Sequence, residues 1–487
     1  MAPDWLVAAV IVLPIVASTA PFLLGLRYPD VGPAVSILSL LATFGLATPI
    51  VATAARGEVV RYEVGGVPAA YGIELVADAI AATMVLLTVL VVLGAAIHTR
   101  RVGPHGTAFH SGLLLLAGGT IGIALTGDLF NLYVFLEIAA IASYALVASA
   151  DSRVSTYASF KYLLVGTIGA SLYLLGVAYV FVATGTLNMR SVADAFAAMG
   201  YGDPLVVTSF ALIAVGLAVK IALVPLHTWL ADAHAAAPDA VSAIVSGLLP
   251  AVAVYALARV TFGVYTVDFV HAHPLLTSLL LYGGLVTVFA GGVFAVFQSR
   301  IKLLLAYSTV AHMGLAVVGV ALATDEALYG ALLQLVGHGI VKAALFLLAG
   351  LFAVAYGART LDGYAGLASR SPGLAIVFTV LGLSLVGVPP TSGFVAKYYI
   401  VVGAIDAGQW LVAGLVVAST LVTVAYVFPI IDRLYFRDYD GPVPDRAAIP
   451  AESTVVVAVA LVLTVVIGLV TVPLGGFLAP AIEVMLS

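Results

Sequence analysis

Residues 215–230 read VGLAVKIALVPLHTWL. The run is apolar enough for lipid, yet it carries Lys220 and, five residues later, Pro225. A proline inside a helix removes a backbone donor and clashes with the preceding turn, so the helix breaks there. A charge in hydrocarbon costs at least ~2.5–3.5 kcal/mol on insertion scales, so it persists where it pairs or works. Broken backbone at membrane depth is tolerated only where protein or a wet cavity surrounds it. The same association recurs in LSLVGVPPTSGFVAKYY, residues 383–399, where Lys397 follows Pro389 and Pro390. Discontinuous helices at corresponding places of two halves point to an ion site between inverted repeats.

Composition sets the solvent. The 487 residues are 63% hydrophobic and 9% charged, with mean hydropathy +1.19, whereas soluble domains carry about 25% charge. The bilayer must therefore take the place of water around most of the chain. A net charge of −5 leaves no basic footprint, so nucleic acid is not an expected partner. The absence of cysteine excludes disulfides, thiolate nucleophiles, Fe–S clusters and Cys-ligated zinc. The opening MAPDWLVAAVIVLPIV has no basic n-region and reads as an uncleaved first span.

The expected fold is an all-α polytopic membrane protein of about fourteen transmembrane helices. Apolar runs place them near 5–26, 31–53, 75–97, 110–126, 129–149, 160–183, 205–235, 240–260, 274–298, 302–324, 326–356, 372–406, 409–431 and 453–475. Spans seven and twelve are overlong and broken, and they lie five spans apart. That spacing suggests two inverted five-helix repeats, over 110–260 and 261–431. They are preceded by helices 1–3 (1–109) and followed by a linker and last helix (432–487). Twelve basic residues, from Arg27 to Arg446, fall on loops after odd-numbered spans, against Arg56, Arg61, Arg190 and Arg259 on the other side. The odd loops are thus expected to be cytoplasmic and both termini outside, in a plasma membrane. FRDYDGPVPDRAAIPAES, 436–453, reads as a cytoplasmic linker, and RSVADAFAAMG, 190–200, as a short amphipathic helix on the outer face.

Three lysines remain inside spans: Lys220, Lys342 and Lys397. Among the acids Glu137 alone sits deep, while Asp78, Asp128 and Asp432 fall near span ends. Arg259 and Asp432 read as interfacial anchors. Gln334, His338 and Lys342 recur every four residues, so they stack on one helical face, and Ser308 and His312 do the same on the preceding span. Tyr133, Glu137 and Tyr144 share a face of span five, and His227 follows Lys220 by seven residues. Desolvation weakens a lysine's hold on its proton and a nearby carboxylate strengthens it, so such groups can pass protons along a chain. No P-loop, G-x-G-x-x-G, H-E-x-x-H or G-x-S-x-G occurs. No cofactor or metal site is therefore expected, and an ion gradient or partner subunits must supply the energy.

Five ordered stretches carry a family resemblance: GGVPAAYGIELVADAIAATM (65–84), TGDLFNLYVFLEIAAIASYALVA (126–148), FKYLLVGTIGASLYLLGVAYVFVATGTLNM (160–189), HTWLADAHAAAPDAVSAIVSG (227–247) and RIKLLLAYSTVAHMGLAVVG (300–319). The chain resembles the antiporter-like subunits of complex I, membrane-bound hydrogenases and Mrp cation/proton antiporters, and its motifs are most similar to the D-type Mrp subunits. The resemblance implies fourteen helices with two inverted repeats, and proton translocation through Glu137, Lys220, Lys342 with His338, and Lys397. His312 and His227 join that set by their place on the polar stripe. It further implies other membrane subunits as partners and exchange of protons against a monovalent cation, sodium being expected. The alternative is a proton-pumping subunit of a redox complex. In either setting the chain is read as a transporter subunit, and an enzyme only as part of a redox translocase. Two departures from the family pattern stand out. Pro250 occupies a place where a lysine is common on helix eight, and Gln334 one where histidine is frequent.

Overall fold

The computed structural model describes residues 2–438 and 449–487, so most of the linker expected at 436–453 lies outside the described residues. The helices are α1 (Trp5–Gly25), α2 (Gly32–Ala54), α3 (Ala79–Val102), α4 (Thr107–Leu125), α5 (Leu129–Ala148) and α6 (Arg153–Thr184). Helix α7 has two halves, α7a (Pro204–Ile221) and α7b (Thr228–Ala236), and α8 follows as Asp239–Gly247 and Leu249–Val260. The second half holds α9 (Pro274–Val296), α10 (Ile301–Ala321), α11 (Asp325–Tyr356), the divided α12a (Pro372–Val386) and α12b (Ser392–Asp406), and α13 (Trp410–Phe436). Helices α14 (Ala451–Leu469) and α15 (Thr471–Leu486) close the chain. Among the described residues thirteen helices are long and apolar enough to cross a membrane. With the divided α12 they make the fourteen that the apolar runs indicate.

Several helix starts carry a polar cap. Asp78 accepts a bond from the Ala81 amide, Asp128 from Asn131, Asn188 from Ser191 and Thr324 from Ala327. Such caps satisfy amides that have no partner within the helix and are worth about 1 kcal/mol each. Among the described residues one pair of strands stands beside the helices. Val60–Glu63 (β1) pairs antiparallel with Glu74–Ala77 (β2), Val60 opposite Ala77. This hairpin covers part of what reads in sequence as the beginning of span three. RSVADAFAAMG does form a short helix, Met189–Met199.

The two breaks are built alike. In each, the first half ends in a left-handed residue, Ala222 (φ 65°) or Gly387 (φ 91°). The next amide then bonds back to the preceding turn, Leu223 to the Ala218 carbonyl (3.0 Å) and Val388 to Leu383 (3.1 Å). This Schellman closure satisfies the helix end before the proline arrives. The order of elements also recurs: α6 and α11 each have 32 residues and each precedes a divided helix.

Burial separates the helices by role. In α8, α10 and α11 the apolar windows are 89–100% buried, against 22–33% in α1, α2 and α14. The former form the centre and the latter the rim. Glycines let the backbones close in. An added Cβ on Gly314 of α10 would lie 2.7 Å from the Gly284 carbonyl oxygen of α9, and one on Gly216 of α7a 2.6 Å from that of Gly169 in α6. Gly468 of α14 sits against the second break, where a Cβ would come 1.8 Å from the Pro390 carbonyl oxygen. Gly314→Leu should therefore lower stability by about 1–3 kcal/mol, the usual cost of overpacking, read as a fall in thermal midpoint. An unchanged midpoint would mean that the α9–α10 contact is looser than described.

Candidate functional site

Lys220 occupies the last turn of α7a, beside the break. Its Nζ lies 2.8 Å from Oε1 of Glu137 on α5, and the lysine is buried. Aromatic rings floor the pair. Trp229 donates from Nε1 to the Val219 carbonyl (3.0 Å), Tyr162 stacks on Trp229 at 4.0 Å, and Tyr144 meets Tyr162 edge-on at 4.5 Å. Gly166 leaves the room that the Tyr144 hydroxyl occupies, since a Cβ there would lie 2.0 Å from it. Glu137 and Lys220, the two deep charges of the first half, therefore meet directly.

The stripes read on spans ten and eleven face one another. Lys342 is fully buried and donates to the Leu305 carbonyl (2.9 Å) and the Ser308 hydroxyl, both on α10. Gln334 Nε2 lies 3.1 Å from His312 Nδ1, and the rings of His312 and His338 are 5.2 Å apart. With the amide donating, Nδ1 accepts and Nε2–H of His312 points toward the Tyr426 hydroxyl at 3.5 Å, a tautomer assigned from the bonding pattern. Neither ring nitrogen of His338 has a hydrogen-bond partner among the described residues. Lys397 donates to the Val386 carbonyl at the open end of α12a (2.9 Å) and to Thr420 (3.3 Å). A cavity of about 10 Å³ lies between Lys397 and His312, lined also by Ser419 and Thr423, and one water needs that much room. His227 is separate from these contacts. It begins α7b with its ring stacked on Phe294 (5.4 Å), and no bond joins it to Lys220.

Three basic residues read at span ends or in loops are ion-paired within the fold. Arg259 is half-buried, ion-paired with Asp78 and bonded through Nε to Tyr255 (2.9 Å). Tyr255 in turn donates to the Ala124 carbonyl (2.6 Å). Asp78 and Arg259 lie 181 residues apart, and no local pattern links them. Lys161 and Lys302, counted with the loops, pair with Asp232 (2.7 Å) and Asp239 (3.0 Å). Asp432 does sit at a helix end, held by Arg433 (3.3 Å) and Arg437 (2.9 Å).

The position of Pro250 has a structural counterpart. It opens the second half of α8, and the kink at Gly247 packs backbone to backbone on α11, where a Cβ would meet the Gly339 carbonyl oxygen at 2.7 Å. Gly339 adjoins His338. The hydroxyls of Ser246 on α8 and Thr309 on α10 lie 2.6 Å apart and both residues are buried. Neither stands out by charge or motif, because isolated hydroxyls are common in apolar helices.

A half-buried acid thus meets a buried amine at a helix break, and two further buried amines and two imidazoles follow on central helices. The description NADH:quinone oxidoreductase/Mrp antiporter, TM matches residues 126–423, which is more than half of the chain. The chain is 35% identical over 483 residues to an NADH-quinone oxidoreductase subunit N of Desulforudis audaxviator, covering 94% of this chain and 95% of the relative. It is 32% identical over 386 residues to the D-type subunit of a Na(+)/H(+) antiporter of Bacillus subtilis, covering 78% and 77%. A chain of the Mrp complex from Dietzia sp. superposes with a TM-score of 0.88 at 27% identity, over 99% of this chain and 100% of that one. The protein belongs to the NADH:quinone oxidoreductase/Mrp antiporter family of multi-pass membrane subunits.

Proposed function

We propose that the chain translocates protons as one membrane subunit of a larger complex that exchanges protons against a monovalent cation, sodium. The observation that carries this reading is the Glu137–Lys220 pair at 2.8 Å beside the first helix break. Protonating Glu137 removes the charge that steadies the Lys220 ammonium, so the amine gives up its proton to the next acceptor. Loading one site thereby empties its neighbour. From there the proposed path runs by way of the Ser246 and Thr309 hydroxyls to Lys342, then His338 and His312, and across the small cavity to Lys397. A hydroxyl both donates and accepts, so the Ser246–Thr309 pair is suited to the role of the lysine that Pro250 displaces. His227 would serve at the margin of this path, at the start of α7b. Ammonium groups repel a metal cation and cannot ligate it, so sodium is assigned a different route or subunit.

The same reading takes 110–260 and 261–431 as inverted repeats and the odd loops as cytoplasmic, with both termini outside the plasma membrane. Supporting it are the matched breaks and the twelve-to-four division of basic residues. A second reading, a proton pump driven by redox subunits, is favoured by the near-full-length similarity to a subunit N. Flavin or Fe–S absorbance in the purified complex would select it over the antiporter.

Thr309→Val, which keeps the shape and removes the hydroxyl, tests the path. In inverted vesicles carrying the whole complex, sodium-driven dissipation of a proton gradient should slow by about tenfold or more. One positioned proton donor contributes about a hundredfold or more, and a water can replace part of that. Stability should change by only about 1 kcal/mol, the worth of one hydrogen bond. Exchange at the wild-type rate would remove Thr309 from the path.

A further inference from the structure

Away from the buried stripe, a cavity of about 660 Å³ opens on the odd-loop side, where α3 and α11 end and α10 begins. Its charged lining consists of Arg300, Lys302, Arg359 and Asp239, three cations against one carboxylate. Asp239 is taken by Lys302 at 3.0 Å, and neither arginine has an ion-pair partner among the described residues. The two arginines are nonetheless held close by backbone. The amide of residue 301 donates to the Arg359 carbonyl (3.1 Å), that of residue 361 to the carbonyl of residue 299 (2.8 Å), and residues 300 and 360 form a β-bridge. The charges of both arginines bear on Lys302. His98 also lines the cavity, with no exposed surface and no hydrogen-bond partner for either ring nitrogen.

Both arginines are exposed at the mouth, and an anion among these like charges would relieve their repulsion. A cationic mouth also disfavours the ions that the membrane path would carry, so the cluster is poorly suited to collecting them. Two guanidinium forks with a lysine and the positive end of the 21-residue α10 form a donor set suited to a tetrahedral oxyanion. The unpartnered imidazole of His98 lies sealed behind the wall, a polar group that only a small shift of the lining would bring to a bound ion. We propose that this cavity binds a phosphate-type oxyanion, either free phosphate or the headgroup of a phospholipid. The site would balance the net charge left by Arg300 and Arg359 and fix the end of the helix whose Leu305 carbonyl and Ser308 hydroxyl hold Lys342.

The full chain in nanodiscs of uncharged lipid provides the test, titrated calorimetrically with inorganic phosphate at constant ionic strength against chloride. Saturable binding is expected, weakened at least about tenfold, or about 1.4 kcal/mol, in the double variant Arg300→Gln/Arg359→Gln. Ala353→Phe keeps every charge and fills the cavity, so it should weaken binding as well, and it carries the comparison if the double variant does not fold. Native mass spectrometry of the chain extracted from bacterial membranes separates the two sources. One retained phospholipid that is lost in the variants, with phosphate binding appearing only after delipidation, assigns the headgroup. Phosphate binding by a chain that retains no phospholipid assigns the free ion. Absence of both saturable phosphate binding and a retained phospholipid overturns the proposal, as does equal affinity in the wild type and both variants.

Discussion

Replacing Lys220 with alanine is expected to abolish sodium-driven proton exchange in inverted vesicles that contain the whole complex. The same change should also destabilise the protein, because it strands Glu137 in a largely dry setting. Removing one partner of a buried pair costs about 3–5 kcal/mol, and the 19% exposure of the Glu137 side chain places this pair near the lower figure. A loss of transport from Lys220→Ala alone would therefore mix two causes. The double variant Glu137→Gln/Lys220→Met separates them, since it leaves no charge unpaired. It should recover most of the thermal stability and still fail to transport. Exchange at the wild-type rate in the double variant would leave the pair a purely architectural role.

Arg259→Met is expected to have the second largest effect, and on stability alone. Asp78 would lose its only ion-pair partner among the described residues, and Tyr255 a donor, at a cost of about 3–5 kcal/mol. Asp78→Asn added to Arg259→Met should return a large part of that loss, because a neutral amide is far cheaper to bury than an unpaired carboxylate. Proton exchange per folded complex should remain near the wild-type rate in the double variant, since neither residue belongs to the proposed path. Tryptophan-fluorescence melting together with the vesicle assay reads both quantities. A double variant no more stable than Arg259→Met would show that the cost lies in packing around the guanidinium stem rather than in charge.

These two pairs differ in how they can be found from sequence. Lys220 is conspicuous because it interrupts an apolar run five residues before a proline. Glu137 also interrupts an apolar run, so their association could be expected although 83 residues separate them. Arg259 sits at the end of an apolar run, where an arginine usually reaches the interface. Its pairing with Asp78 depends on how α8 approaches the start of α3, a matter of three-dimensional packing. The hairpin at Val60–Glu63 and Glu74–Ala77 is hidden for a related reason, as the apolar residues of IELVA run directly into those of the helix that follows. Stacking at four-residue intervals, by contrast, is local geometry. Gln334, His338 and Lys342 need only an intact helix to line up, and α11 runs unbroken from Asp325 to Tyr356.

Gly468 gives α14 a duty that its plain sequence hides. By fitting against the Pro390 carbonyl it acts as insulation, keeping acyl chains away from a peptide group that α12 leaves bare. A bulkier residue at 468 would lift that jacket, and the bared carbonyl would have to recruit water through the rim of the protein. This rim helix would then govern how leaky the second break is, although it holds none of the lysines or histidines of the stripe.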